Sequence, residues 1–245
     1  MDDWFSSIAA GSELPRNAAR DLRDAGFIII QNRLATPAKL AQLSAAYDAA
    51  VAGADPADVS VGSSTTRVSD FVNSGPEFDG LYICALVLEA CCSIIGRPFK
   101  LSTMHARTVN PKSPAQALHV DFRREADGWP MTGFIVMVDE FRSDNGATRF
   151  VPGSHTWPAI PGDTMSDPAA DHVQQALACG PAGSVIVYNG SVWHGHSANR
   201  TTKPRRSIQG AYIRREVEPA VNQAARIRRE TLGRIGPLAK YLLDV

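Results

Sequence analysis

The chain has no charge excess, no long apolar run and few cysteines, and each absence narrows what it does. Lysine and arginine number 25 against 25 aspartates and glutamates, so the formal charge is zero. Nucleic-acid binders normally carry a basic surplus that steers them to phosphate, so a nucleic-acid partner is not expected. Nowhere does an apolar stretch approach the roughly 20 residues needed to span a bilayer, and no membrane partner is expected either. The opening Met1-Asp2-Asp3-Trp4 is acidic and lacks the basic start and apolar centre of a secretion signal, which makes the cytoplasm the expected compartment. The four cysteines (Cys84, Cys91, Cys92, Cys179) form no metal-type pairs and no disulfide framework; they read as small apolar fillers in reducing surroundings. Internal repeats, low-complexity tracts and convincing linkers are missing too. One domain over residues 1–245 is the expectation.

What is present is the balance of a globular protein, 44% hydrophobic and 20% charged, long enough for one well-buried core. Asn17 to Ala25 reads as a short helix stopped by Gly26, and Phe27-Ile28-Ile29-Ile30 as a buried strand. Thr36 and Pro37 form a cap and first helical position for a helix to about Val51, stopped by Gly53. Ala54 to Ser64 reads as a surface loop. A second helix is expected over Leu81 to Ile95, ended by Gly96 and Pro98. From Lys100 the texture changes to short strands, expected at Leu101–Val109, Ala117–Phe122, Thr132–Val138, Thr148–Val151, Ser184–Tyr188, Val192–His196 and Ser207–Arg214. Helices followed by strands imply N-terminal helices (1–99) packed on a β core (100–215). The tail (216–245) reads as helical, with Ile227, Ile235, Leu238 and Leu242 turned inward and its arginines solvated.

Chemistry concentrates in two segments. In Gln116-Ala117-Leu118-His119-Val120-Asp121-Phe122, strand alternation would project His119 and Asp121 to the same side, offering an imidazole and a carboxylate to a first-row divalent metal. About 75 residues later, Val192-Trp193-His194-Gly195-His196 follows an apolar strand and an Asn-Gly turn. A histidine from here completes a two-histidine, one-carboxylate triad that leaves coordination positions open for a co-substrate and dioxygen. His194 and His196 share parity, and on the residues alone either serves. 2-Oxoglutarate, chelating through its keto and carboxylate oxygens, also needs a cationic partner for its distal carboxylate; a planar guanidinium matches it. Arg205 is the candidate and Arg206 the alternative. A strand beginning at Arg205 would share a face with Ser207, Gln209 and Ala211, turning Arg206 outward. His155 reads as structural, and His105 and His172 as ordinary core or surface residues. Trp129, Met137, Tyr188 and Trp193 are candidates to line a pocket, although core or rim is the usual place for such residues.

Three stretches, in order, resemble the phytanoyl-CoA dioxygenase family: Gln116 to Asp121; Asp144-Asn145-Gly146-Ala147-Thr148 through Pro152-Gly153-Ser154-His155; and His194-Gly195 through Asn199 to Arg205. Asp24-Ala25-Gly26-Phe27-Ile28-Ile29 resembles the family's opening. The resemblance implies a mainly β fold with flanking α-helices, a double-stranded β-helix of jelly-roll type. It also implies iron(II) on His119, Asp121 and His194, and 2-oxoglutarate held by Arg205, eleven residues past His194, with contacts from Gln116 and Thr148. The implied reaction consumes dioxygen, releases succinate and carbon dioxide, and oxidises a small molecule such as a natural-product intermediate, an amino acid or an acyl thioester. Related halogenases carry a small residue where Asp121 stands, so hydroxylation is the expected outcome. The rival readings are a cupin-like metalloenzyme that does not use 2-oxoglutarate and a catalytically silent small-molecule binder on the same fold.

Overall fold

A computed structural model describes residues 3–31 and 36–245; Met1 and Asp2 of the acidic opening lie outside the described residues. Helix α1 (Trp4–Ala9) precedes α2 (Arg16–Ala25), which stops where Gly26 adopts φ 83°. That left-handed turn feeds the apolar run directly into strand β1 (Phe27–Ile30). Helix α3 (Pro37–Ala52) starts as its sequence implies, the Thr36 hydroxyl accepting from the Lys39 amide. Residues 54–64 are more ordered than expected: they hold a helical turn and β2 (Val59–Val61), which pairs with β3 (Thr65–Val68). Helix α4 is shorter than expected, Ala85–Ile95, because the chain before it runs as separate turns.

The β region comprises β4 (Phe99–Val109), β5 (Met131–Met137), β6 (Thr148–Phe150), β7 (Ala176–Ala178), β8 (Val185–Asn189), β9 (His194–His196) and β10 (Arg205–Arg214), with a short helix α5 (Pro161–Thr164) inserted. Seven strands form one antiparallel sheet in the order β1-β8-β5-β10-β4-β3-β2, and β7-β6-β9 form a smaller antiparallel one. This is the jelly-roll expected of the chain. One strand in the expected set is absent: Ala117–Phe122 is irregular, and its backbone pairs with β9 through an isolated bridge between His119 and His194 instead of a ladder.

The large sheet is covered on both faces, which is why β5 is buried at all seven positions. Phe134 and Val136 point to the helices and join a core with Leu22, Tyr47, Leu86 and Leu242. Ile135 and Met137 point the other way, into the sandwich, with Phe150 and Ile186. Full burial of one such side chain contributes about 1.5–3 kcal/mol. The tail is three short helices, α6 (Gln223–Arg226), α7 (Arg229–Arg234) and α8 (Pro237–Leu243), rather than a continuous one. Ile235 and Leu242 are buried as expected, with Ile227 and Leu238 packed beside them. Three of the tail's four arginines are held in ion pairs rather than left to solvent: Arg226, Arg228 and Arg234 pair with Asp58, Asp70 and Asp79.

One close approach ties this packing to the interior. Gly133 lies opposite Tyr188 in the ladder, and a Cβ there would stand 2.2 Å from the Tyr188 ring. Gly133→Ala should therefore cost about 1–3 kcal/mol through overpacking, lowering Tm by roughly 2–10 °C and displacing Tyr188. Thermal unfolding followed by circular dichroism checks this, and an unchanged Tm would contradict it.

Candidate metal and co-substrate site

The irregular segment 116–122 has no ladder to hold it, so it is fixed bond by bond. The Gln116 amide donates to the His196 carbonyl, Leu118 to Pro168 and Asp121 to Gly190, and His119 and His194 exchange both backbone bonds. Arg149, fully buried, donates 2.7 Å to the Gln116 carbonyl and also grips the carbonyls of Ala169 and Ala170. β9 can lie this close because Gly195 has no side chain; a Cβ would sit 3.1 Å from the carbonyl oxygens of Gln116 and Ala117.

These restraints bring His119, Asp121 and His194 together, their ligand atoms all within 4.8 Å of one another. The Nε2 atoms of His119 and His194 stand 3.7 and 3.5 Å from the Asp121 oxygens. Each histidine turns Nδ1 to a backbone carbonyl, at Ala117 and Val192 respectively. A carbonyl only accepts, so Nδ1 carries the proton and the Nε2 lone pair faces the cluster. Burial, followed by the proximity of His194, pushes His119 down to about 4, which keeps it neutral and able to ligate. Burial alone would raise the Asp121 carboxyl; the two histidines and the Tyr188 hydroxyl outweigh it and hold the group ionised. Tyr188 donates to Asp121 Oδ2 at 2.8 Å. The set of two imidazole nitrogens and one anionic oxygen, all turned to one point, fits an iron(II) ion.

His196 lines the same cavity, but both its nitrogens are engaged, Nδ1 with the Ser197 carbonyl and Nε2 with the Ser64 hydroxyl. The cavity, about 390 Å³, also takes in Gln116, Thr148 and Arg205. Arg205 is 1% exposed and donates to the Ser207 hydroxyl and the Gly146 carbonyl, its guanidinium 3.9 Å from the Phe141 ring centre. Its Nε has no partner, and among the described residues no carboxylate lies within ion-pair distance of it. Burial, then Arg107, pushes Arg205 down to about 9, still cationic at neutral pH. Arg206 points outward as β10 alternation requires, forked onto Asp139 and paired with Asp48.

Several residues of the cavity had not been singled out. Arg107 is buried on β4, donates to Gln116 Oε1 at 2.7 Å, and pairs in register with Arg67, another lining residue. Polar residues (Lys100, Ser102, Thr103, His105, Thr108) are scattered along the same strand, so nothing in the sequence set Arg107 apart. His105 lines the cavity rather than an ordinary core; burial, with Arg67 and Arg107 nearby, pushes it down to about 3. Of the four candidate pocket residues Tyr188 alone lines this cavity, whereas Met137 and Trp193 are core and Trp129 lies tilted against His155, donating to its carbonyl. His155 is structural, bonded to the Arg23 carbonyl.

Known proteins similar to this chain in sequence or in fold are numerous. The dioxygenase cdmA of Talaromyces verruculosus is 39% identical over 108 residues, 41% of this chain and 35% of that protein. The multifunctional dioxygenase prhA of Penicillium brasilianum is 33% identical over 172 residues, 63% of this chain and 57% of its own length. The chain thus spans about a third to three-fifths of the length of these relatives. Among solved structures, the non-haem α-ketoglutarate-dependent carbocyclase SnoK superposes with a TM-score of 0.67 at 17% identity, covering 92% of both chains. HygX of Streptomyces hygroscopicus, solved with nickel and 2-oxoglutarate, gives 0.66 at 15% identity, covering 84% of this chain and 89% of its own. These confirm the jelly-roll fold. No helix among the described residues is long and apolar enough to cross a membrane. The sequence profile of the phytanoyl-CoA dioxygenase (PhyH) family matches residues 22–207, about three quarters of the chain, and the protein belongs to that family.

Proposed function

We propose that the protein is an iron(II)- and 2-oxoglutarate-dependent dioxygenase, acting as one domain, that oxidises a small molecule with release of succinate and carbon dioxide. The observation that carries this reading is one cavity with a His-Asp-His cluster in its middle and a buried, unpaired guanidinium at one end. A cation left unpaired in the interior is costly unless a ligand brings the counter-charge. A dianion that reaches from the metal cluster to Arg205 supplies it. HygX, of the same fold, was solved with 2-oxoglutarate.

His119, Asp121 and His194 would hold the iron, and Arg205 would receive the distal carboxylate of the co-substrate, with Thr148 beside it. Gln116, oriented by Arg107, would contact the co-substrate near the metal. With iron, co-substrate and dioxygen present, the centre supplies the oxidising power, and the chain supplies orientation. Tyr188 fixes the rotation of Asp121, and as an iron ligand Asp121 would fill the place a halide would need, which favours hydroxylation. SnoN was solved with nogalamycin RO and HygX with hygromycin B, and a natural-product substrate is the class we infer here.

The reading is tested by incubation with iron(II), 2-oxoglutarate and oxygen and measurement of succinate. Alanine at His119, Asp121 or His194 should abolish succinate release and iron binding while leaving the circular dichroism spectrum intact; iron binding lost in His196→Ala but kept in His194→Ala would reassign the third ligand. Arg205→Leu should weaken 2-oxoglutarate about a hundredfold or more, since truncating one partner of a buried charge pair costs about 2–5 kcal/mol, with iron affinity little changed. Unaltered co-substrate affinity would rule the Arg205 assignment out. Tyr188→Phe releases Asp121 from its orienting bond and should lower iron affinity by roughly 10–100-fold, measured by competition with a chelator; no change would mean Asp121 is held without it.

A further inference from the structure

Charge is not spread evenly through the cavity. Arg67 and Arg107 share a rung of the ladder, Ser207 lies opposite Arg107, and Arg205 is two residues from Ser207. All three arginines therefore gather at one end. Along β10, Ala211 lies six residues from Arg205, roughly 20 Å at the rise of a strand. There the lining is different: Met131, Ala211 and Ile213 form an apolar cluster with Phe122, the residue after Asp121. The acidic lining residues are Asp121 and Glu218, both of them partly open to solvent, and Asp121 belongs to the metal cluster.

A bulge builds the wall at this apolar end. Ala211 pairs with Thr103 and Tyr212 with Leu101, which leaves Ser102 of β4 without a partner in the ladder. The extra residue turns Ser102 toward the chain that follows β10. Its hydroxyl accepts from the Ala220 amide at 2.9 Å and its carbonyl from the Val221 amide at 3.0 Å. Pro219 and Ala220 are thereby fixed against the cavity, beside Ser102 and Thr103.

We propose that the substrate is an uncharged, largely apolar small molecule whose carbon skeleton packs between the metal cluster and this bulge-anchored wall, with Ala211 and Ala220 limiting its size. The inference rests on the co-substrate occupying the arginine end. A charged group on the substrate would find no buried counter-ion among the described residues of the wall. A polyol would leave many of its hydroxyls facing side chains that cannot bond them, since beside the apolar wall only Ser102, Thr103, His105 and Gln209 offer partners.

Calorimetric titration of the intact protein, loaded with iron(II) and 2-oxoglutarate under nitrogen, tests the idea with camphor, camphorsulfonate and trehalose. Camphor should bind at least tenfold more tightly than camphorsulfonate, which has the same skeleton with a charge, and trehalose should not bind. Ala211→Phe and, on the exposed segment, Ala220→Trp should each weaken camphor at least tenfold while leaving the 2-oxoglutarate titration unchanged. Preference for the sulfonate or trehalose, failure of camphor to bind, or camphor binding indifferent to both substitutions overturns the proposal. Failure of 2-oxoglutarate itself to bind the wild-type protein would instead overturn the functional reading beneath it.

Discussion

Arg205 imposes the constraint on which the interior depends. Taking a guanidinium out of water costs several kcal/mol, and hydrogen bonds to Ser207 and Gly146 with an aromatic face at Phe141 offset only part of that. Its position is not negotiable: β10 runs through the middle of the large sheet, paired on both sides, and alternation turns Arg205 in and Arg206 out. The fold therefore keeps a cation in its interior with no carboxylate beside it among the described residues. The neighbouring charges are arranged to match. Arg107 is tied to Gln116, and Asp121, the counter-charge at the metal cluster, is steadied by Tyr188.

The metal cluster shows the opposite strategy, precision without regular structure. Two of its residues lie on a segment with no ladder, and a strand there would fix their facing but not their distance from β9. Separate bonds do both. Arg149 is central, because its buried guanidinium spans from the Gln116 carbonyl to the loop at residues 168–171 and so joins two irregular segments that neither sheet contains. Gly195 contributes by its smallness and Gly133 by leaving room for the Tyr188 ring, so the positions of Asp121 and His194 are set by residues that touch no ligand.

How much of this was legible in the sequence depended on whether the signal was local. Thr36-Pro37, Gly26 and the run Phe27–Ile30 announce elements through capping and periodicity, and they stand within a residue of where they were expected. The alternation Leu118-His119-Val120-Asp121 imitated a strand, but the segment is irregular, and long-range backbone bonds rather than a ladder bring His119 and Asp121 together. Short strands such as Val59–Val61 and Ala176–Ala178 carry too few residues for a pattern and exist because a neighbour offers its edge. Arg107, Arg67 and the Ser102 bulge were illegible because their meaning lies in cross-strand register, which one chain read in order does not contain.

The central claim is that one cavity holds iron through His119, Asp121 and His194 and, at the same time, a dianion reaching Arg205. Titration of the protein with iron(II) and 2-oxoglutarate in the absence of oxygen tests both halves together, since chelation of iron(II) by the keto acid produces a weak visible charge-transfer band. The account predicts that the band appears only when protein, metal and co-substrate are all present, and saturates at one co-substrate per chain. Iron bound in the cluster with no band at saturating 2-oxoglutarate would contradict it.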